Sequence, residues 1–143
     1  MLDKNLTINT SIEIKSDKST IWDALTNPEK IKIYLFGTET ITDWKEGNSI
    51  VFQGEYQGKS YRDRGVIIRN KQNEELQYSY WTGFSGLEDI PENYALVTFF
   101  LESVGENIAL TVTQSAFSNE ETRQHSLTTW TYILQQIKAL AEK

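Results

Sequence analysis

Residues Ser118–Lys143 read SNEETRQHSLTTWTYILQQIKALAEK, and this stretch decides the architecture. Leu127, Trp130, Leu134, Ile137 and Ala141 recur every three or four positions. Ile133 and Leu140 widen the stripe, while Gln135, Gln136, Lys138 and Glu142 stay polar. That period predicts a helix with one apolar side. Ser118 and Glu121 have the spacing of a capping box at its start. A helix of this kind must lie along an apolar surface, and the preceding chain offers one large candidate, a β-sheet.

The sheet is read from alternation. From Glu39 onward the apolar period is two: Ile50, Phe52, Gly54 and Tyr56 alternate with Val51, Gln53 and Glu55. Gln57-Gly58 is a turn, and Tyr61, Asp63, Gly65 and Ile67 continue the pattern on the return strand. A second turn at Asn70 to Asn73 leads to Leu76, Tyr78 and Tyr80. After a longer loop come Val97, Phe99 and Leu101, a turn at Gly105-Glu106-Asn107, and Leu110, Val112 and Gln114. Consecutive short-linked hairpins make an antiparallel meander.

Upstream, Leu6, Ile8, Ile12 and Ile14 share one parity and form a first strand. Two short helices follow. Ser16 is read as the cap of the first, which carries Ile21, Trp22 and Leu25. Asn27-Pro28-Glu29 opens the second with a cap, a proline at the first helical position and an acid suited to the dipole. Ile31, Ile33 and Tyr34 give that helix its apolar side before the chain leaves at Phe36-Gly37. The expected class is α+β, with a curved antiparallel sheet wrapped around a long C-terminal helix and two short helices after the first strand.

Composition narrows the chemistry. With 143 residues and no Pro/Gly-rich linker or repeat, residues 1–143 read as a single domain. The 14 Lys and Arg against 20 Asp and Glu leave a net charge of −6, a poor match to nucleic acid or an anionic membrane. No cysteine is present and His125 is the only histidine. Thiol nucleophiles, disulfides, cysteine-bound zinc and multi-histidine metal sites are excluded. No apolar run reaches the ~18 residues of a membrane span, so no membrane insertion is expected. A cytoplasmic protein without cofactor is the resulting expectation.

Several motifs in order resemble one family. They are Ile14 to Pro28 (IKSDKSTIWDALTNP), Asp43-Trp44-Lys45-Glu46-Gly47, Asp63-Arg64-Gly65-Val66, Leu110 to Gln114 (LTVTQ), and the Trp-x-x-x-Leu-x-x-Ile pattern within His125 to Leu140. The chain resembles the SRPBCC superfamily, the helix-grip proteins of the START and birch-pollen-allergen type. Within it, the likeness is to the branch named for the activator of the heat-shock-protein-90 ATPase. The segment Ser85 to Tyr94 is similar to a loop of a bacterial single-domain subgroup. The eukaryotic co-chaperones of this branch carry a further N-terminal domain for which this chain is expected to have no room. The resemblance implies a cavity between sheet and long helix for a hydrophobic or amphipathic small molecule. It also implies two alternatives, a module acting on a heat-shock-protein-90-type chaperone and a cyclase- or aromatase-like enzyme.

Inward parity nominates the residues around such a cavity. Phe52, Tyr56, Tyr78, Tyr80 and Phe99 face Trp130 and Leu134 of the helix, and Tyr34 and Phe36 are placed to close one end. Tyr61 shares the parity. Such a face is equally what an ordinary filled core requires. Asp63 and Gln114 add polar groups on the inner face. A carboxylate there needs a partner, for which Tyr61 and Tyr80 are the candidates, and it is suited to hold the polar end of a ligand or to act as a base. Gly65 reads as room beneath a packed group or as a bulge. His125 beside Ser126 is no catalytic pair, because neighbours on a helix do not face each other. Glu88, Asp89 and Glu92 match no calcium loop. On the outer face, Val66, Ile68, Trp81 and Phe100 are either an interface or covered by the second helix or the Ser85–Asn93 loop. The chain is accordingly expected to be a monomer or weak homodimer.

Overall fold

The computed structural model describes residues 2–143. Strand β1 (Asp3–Ile14) leads into helices α1 (Lys18–Thr26) and α2 (Pro28–Tyr34). Strands β2 (Glu39–Ile41), β3 (Ser49–Tyr56), β4 (Lys59–Lys71), β5 (Glu75–Tyr80), β6 (Ala95–Val104) and β7 (Asn107–Phe117) follow, then helix α3 (Glu120–Ala141). The strands form one antiparallel sheet in the order β1-β7-β6-β5-β4-β3-β2, so the meander is intact and β1 closes onto its last strand. At the β3–β4 turn, Gln57 and Gly58 both have positive φ (52° and 79°), the two-residue geometry that suits twisted strands. The expected turn after β4 falls slightly later, because β4 runs on to Lys71.

The sheet curls around α3. Ile133, Leu134, Ile137 and Ala141 of α3 are buried against Ile50, Ile67, Leu76, Val97, Leu110 and Val112, with α1 and α2 adding Ile21, Trp22, Leu25 and Ile31 to the same core. Charged side chains of α3 and of its C-cap, Glu142, also grip β1 and the residue after it. Arg123 donates to the Thr7 carbonyl (3.3 Å), Lys138 donates to the Glu13 carbonyl (2.9 Å), and Glu142 accepts from the Lys15 amide (2.8 Å).

The helix starts differ from the expected caps by one residue. Asp17, not Ser16, caps α1 by accepting from the Thr20 amide at 2.7 Å. Asn119, not Ser118, caps α3, its Oδ1 accepting both the amide and the hydroxyl of Thr122. In each case the residue nearer the helix can reach the free amide at the third helical position. Asn27 caps α2 with Pro28 at its first turn, as expected. On α2, Ile31 and Tyr34 are buried, but Ile33 points to solvent, roughly half a turn around the helix from Ile31.

On the outer face, Trp81 is covered from within the chain. The Arg64 guanidinium stands over its ring at 5.8 Å, and its Nε1 donates to the Leu87 carbonyl. Arg64 also pairs with Asp89 (2.8 Å), and Tyr94 donates to the same carboxylate, so the loop between β5 and β6 is pinned across this face. Val66, Ile68 and Phe100 remain partly exposed.

Candidate functional site

Between α3 and the sheet lies a cavity of about 20 Å³. That is space for roughly one water. Five of the nominated residues border it: Tyr34, Phe52, Tyr78, Phe99 and Trp130. Phe52 and Tyr78 meet at 5.5 Å between ring centroids, and Trp130 stands edge-on to Phe99 at 5.6 Å. Trp130 Nε1 donates to Gln114 Oε1 (2.9 Å), which explains why a polar side chain is tolerated on the inner face of β7. The Tyr34 hydroxyl donates to the Ala24 carbonyl at 2.8 Å and ties α2 to α1. Burial holds the Tyr34 phenol well above its ordinary pKa, and Tyr78 is raised for the same reason. Leu134 is fully buried in the neighbouring core and does not border the void.

Two nominated aromatics point to solvent instead. Tyr56 is 59% exposed, because the strand twists away from the core as it approaches the Gln57-Gly58 turn; its ring meets Phe84 at 6.1 Å. Phe36 is 69% exposed with its ring 6.0 Å from Tyr132 of α3, because its left-handed backbone (φ 57°) turns it out of the helical path. These rings are outside the cavity and, with Phe84, leave a set of exposed aromatics.

Two wall residues were missed by parity: Leu35 and Trp44. Both lie in irregular chain, where no period of two or 3.6 points to burial. The available signal was the single large ring of Trp44 in the polar run Thr42–Asn48. Trp44 also has positive φ (65°), a conformation that costs a non-glycine residue about 1–3 kcal/mol. Leu35 and Trp44 are only partly buried, so the cavity wall is weakest where they close it.

Past Phe52 along the inner face, Tyr80 donates to Asp63 Oδ2 at 2.6 Å. Asp63 is opposite Phe52 in the β3–β4 register, and the Tyr80 ring is 5.9 Å from that of Phe52. Of the two expected partners, Tyr80 takes the bond. Tyr61 instead lies over Gly54 and bonds Thr38 through its hydroxyl (2.5 Å). Asp63 is 6% exposed, and its second oxygen, Oδ1, is buried without a hydrogen-bond partner. An unpaired buried polar atom costs about 1–3 kcal/mol, and more when charged. Burial raises the Asp63 carboxyl above its ordinary 3.8, against the opposing pull of Tyr80, Thr82 and the Gly83 amide. Tyr80 is raised well above 10.0 by burial and then by the adjacent carboxylate.

The raised carboxyl has a measurable consequence. The folded chain holds this proton more tightly than the unfolded chain does, so acidification favours folding at this residue. The stability of the native protein relative to Asp63→Asn is expected to rise as pH falls from the raised value to 3.8, then to level off. Urea melts of both proteins across that window test this; a pH-independent difference would mean the carboxyl titrates as if exposed.

His125 is exposed on α3, and among the described residues no group of three metal-ligating side chains gathers. No helix of the described residues is long and apolar enough to cross a membrane.

The seven-stranded antiparallel sheet closed on a long C-terminal helix, with two short helices after β1, is a helix-grip domain of the SRPBCC type. Residues 15–142 match the family described as activator of Hsp90 ATPase homolog 1-like protein, and the chain belongs to that family. Among solved structures it is similar to ChR145 from Cytophaga hutchinsonii, with 37% identity, 95% of this chain and 93% of that chain covered, and a TM-score of 0.83. The Aha1 dimer from Colwellia psychrerythraea shares the fold at 19% identity, with 95% and 96% covered and a TM-score of 0.74. So does CalU16 from Micromonospora echinospora, at 20% identity, with 94% and 75% covered and a TM-score of 0.72. No protein of curated function matches the sequence.

Proposed function

We propose that this chain is a non-enzymatic binding domain for a hydrophobic or amphipathic small molecule, held between the sheet and α3. The observation that carries the reading is the aromatic-lined void beside a weak stretch of wall. Tyr34, Phe52, Tyr78, Phe99 and Trp130 surround it, and the half-buried Leu35 and Trp44 close it from irregular chain. At about 20 Å³ the void is too small for such a molecule, so binding requires this wall to move outward. The left-handed backbone at Phe36 and Trp44 supports motion there, since strain of this kind is found at ligand clamps. Family membership supports the same class of function.

The test is an amide NMR titration with fatty acids, sterols and flat aromatic compounds. The expected result is a set of shifts on Leu35, Trp44, Phe52, Tyr78 and Trp130. A folded protein whose spectrum no compound changes would make the interior a plain core.

A second reading is regulation of a heat-shock-protein-90-type chaperone through the protein surface. It is supported by the description of the family and by the relative named Aha1. Under it, adding the chain changes the chaperone's ATPase rate; an unchanged rate at saturating concentration removes it.

A further inference from the structure

Asp63 receives the Tyr80 hydroxyl, but that bond uses only one of its two carboxylate oxygens. It lies on the inner face of β4, between half-buried Tyr61 and buried Gly65, and opposite Phe52. Apolar residues would fill the same place without leaving a carboxylate oxygen unsatisfied. One oxygen is committed to Tyr80, whose only hydroxyl hydrogen is thereby used. The other, Oδ1, is buried without a hydrogen-bond partner, while the Thr82 hydroxyl and the Gly83 amide lie near enough to the carboxylate to oppose the rise in its pKa. Among the described residues Asp63 enters no ion pair, and the nearest charged neighbours along β4, Arg62 and Arg64, point to the opposite face. The carboxylate therefore keeps one acceptor position that no hydrogen bond fills. Phe52 links it to the void, since its ring borders the void on one side and meets Tyr80 on the other.

The geometry points to Asp63 Oδ1 as the polar anchor of the bound molecule, and so to a ligand whose polar end donates a hydrogen bond, a hydroxyl or an amine, attached to an apolar or aromatic body. This rests on the binding reading above and narrows it. A ligand ending in a carboxylate would set two acceptors of like charge against each other in a buried site. The fatty-acid class is thereby disfavoured, and phenols, alcohols and amines of similar size are favoured. Burial, which raises the carboxyl, is relieved by such a donor, so the occupied site favours the charged form of Asp63.

Matched probes on one skeleton test this: 2-naphthol, 2-naphthylmethylamine and 2-naphthoate, titrated at neutral pH into the native chain and into Asp63→Asn. The native chain is expected to bind the naphthol and the amine about tenfold or more tighter than the naphthoate, the worth of a hydrogen bond to a charged group. In Asp63→Asn, where the amide can both accept and donate, that preference is expected to shrink. Native protein that binds the naphthoate as tightly as the other two overturns the anchor while leaving the pocket in place. So does a preference that persists unchanged in Asp63→Asn. Binding of none of the three, with no spectral change from the wider panel, overturns the pocket and the anchor together. The comparison among ligands on the native chain stands even where the variant folds poorly.

Discussion

Gly65→Ala is expected to cost about 3 kcal/mol or more, a large share of the roughly 5–15 kcal/mol that holds a domain folded. A Cβ at this position would lie 1.7 Å from the carbonyl oxygen of Ser79 and 2.6 Å from its carbonyl carbon. Both are backbone atoms of the adjoining strand, so relief requires β4 and β5 to part. The ladder between them is already modified here. The Val66 amide donates to the Ser79 hydroxyl at 3.0 Å, and the register shifts again between Ile67 and Arg69 before pairing runs evenly from Arg69 and Gln77. Gly54→Ala provides the contrast. Its Cβ would meet the hydroxyl and outer ring carbons of Tyr61, the end of a half-buried side chain that can swing aside, and about 1 kcal/mol is expected. Urea denaturation of the two variants measures the difference. Equal and small effects would mean that β5 moves away from Gly65 as easily as Tyr61 leaves Gly54.

Trp130→Ala is expected to destabilise by about 3 kcal/mol, the lower end for tryptophan because the ring is partly exposed. The substitution removes the edge-on contact with Phe99, strands the Gln114 side chain without its donor, and opens the void along one wall. Trp130→Phe keeps a ring and loses mainly the hydrogen bond, so about 1 kcal/mol is expected. The alanine variant carries a second expectation: added naphthalene should recover part of the loss, because an enlarged apolar cavity that stays dry accepts an apolar guest. Thermal melts with and without naphthalene read both effects. A loss well under 1 kcal/mol would place the closure of the core elsewhere on α3.

The fold was readable from sequence because its determinants are periodic. The stripe from Leu127 to Ala141 and the alternation from Ile50 to Gln114 each repeat over several positions, so one ambiguous residue does not change the reading. What failed was local. Parity placed Tyr56 inside, but parity continues to the end of a strand whereas burial stops where the hairpin leaves the core. Phe36 was misplaced because a left-handed residue redirects its side chain, and nothing in the pattern of apolar residues records φ. Parity does not reach Leu35 or Trp44 as wall residues, because they border the void from irregular chain. The caps were off by one residue in two helices because Ser16-Asp17 and Ser118-Asn119 each offer adjacent candidates of similar propensity. Asp63 and Gln114 were identified as inward polar residues, and their partners, Tyr80 and Trp130, required the three-dimensional register.

The grip of α3 on β1 bears on how the molecule comes apart. β1 is a 12-residue strand at the border of the sheet, and a border strand of that length is a template for recruiting another chain. The opposite border, β2, has three residues and offers little purchase. In the native protein Arg123 and Lys138 occupy carbonyls of β1, so a foreign strand must first evict them. Detachment of α3 releases those carbonyls at the same moment that it bares the apolar floor beneath. Fraying of one helix thus generates a sticky surface and a ready seam for polymerisation together, and two surface cations stand guard over both.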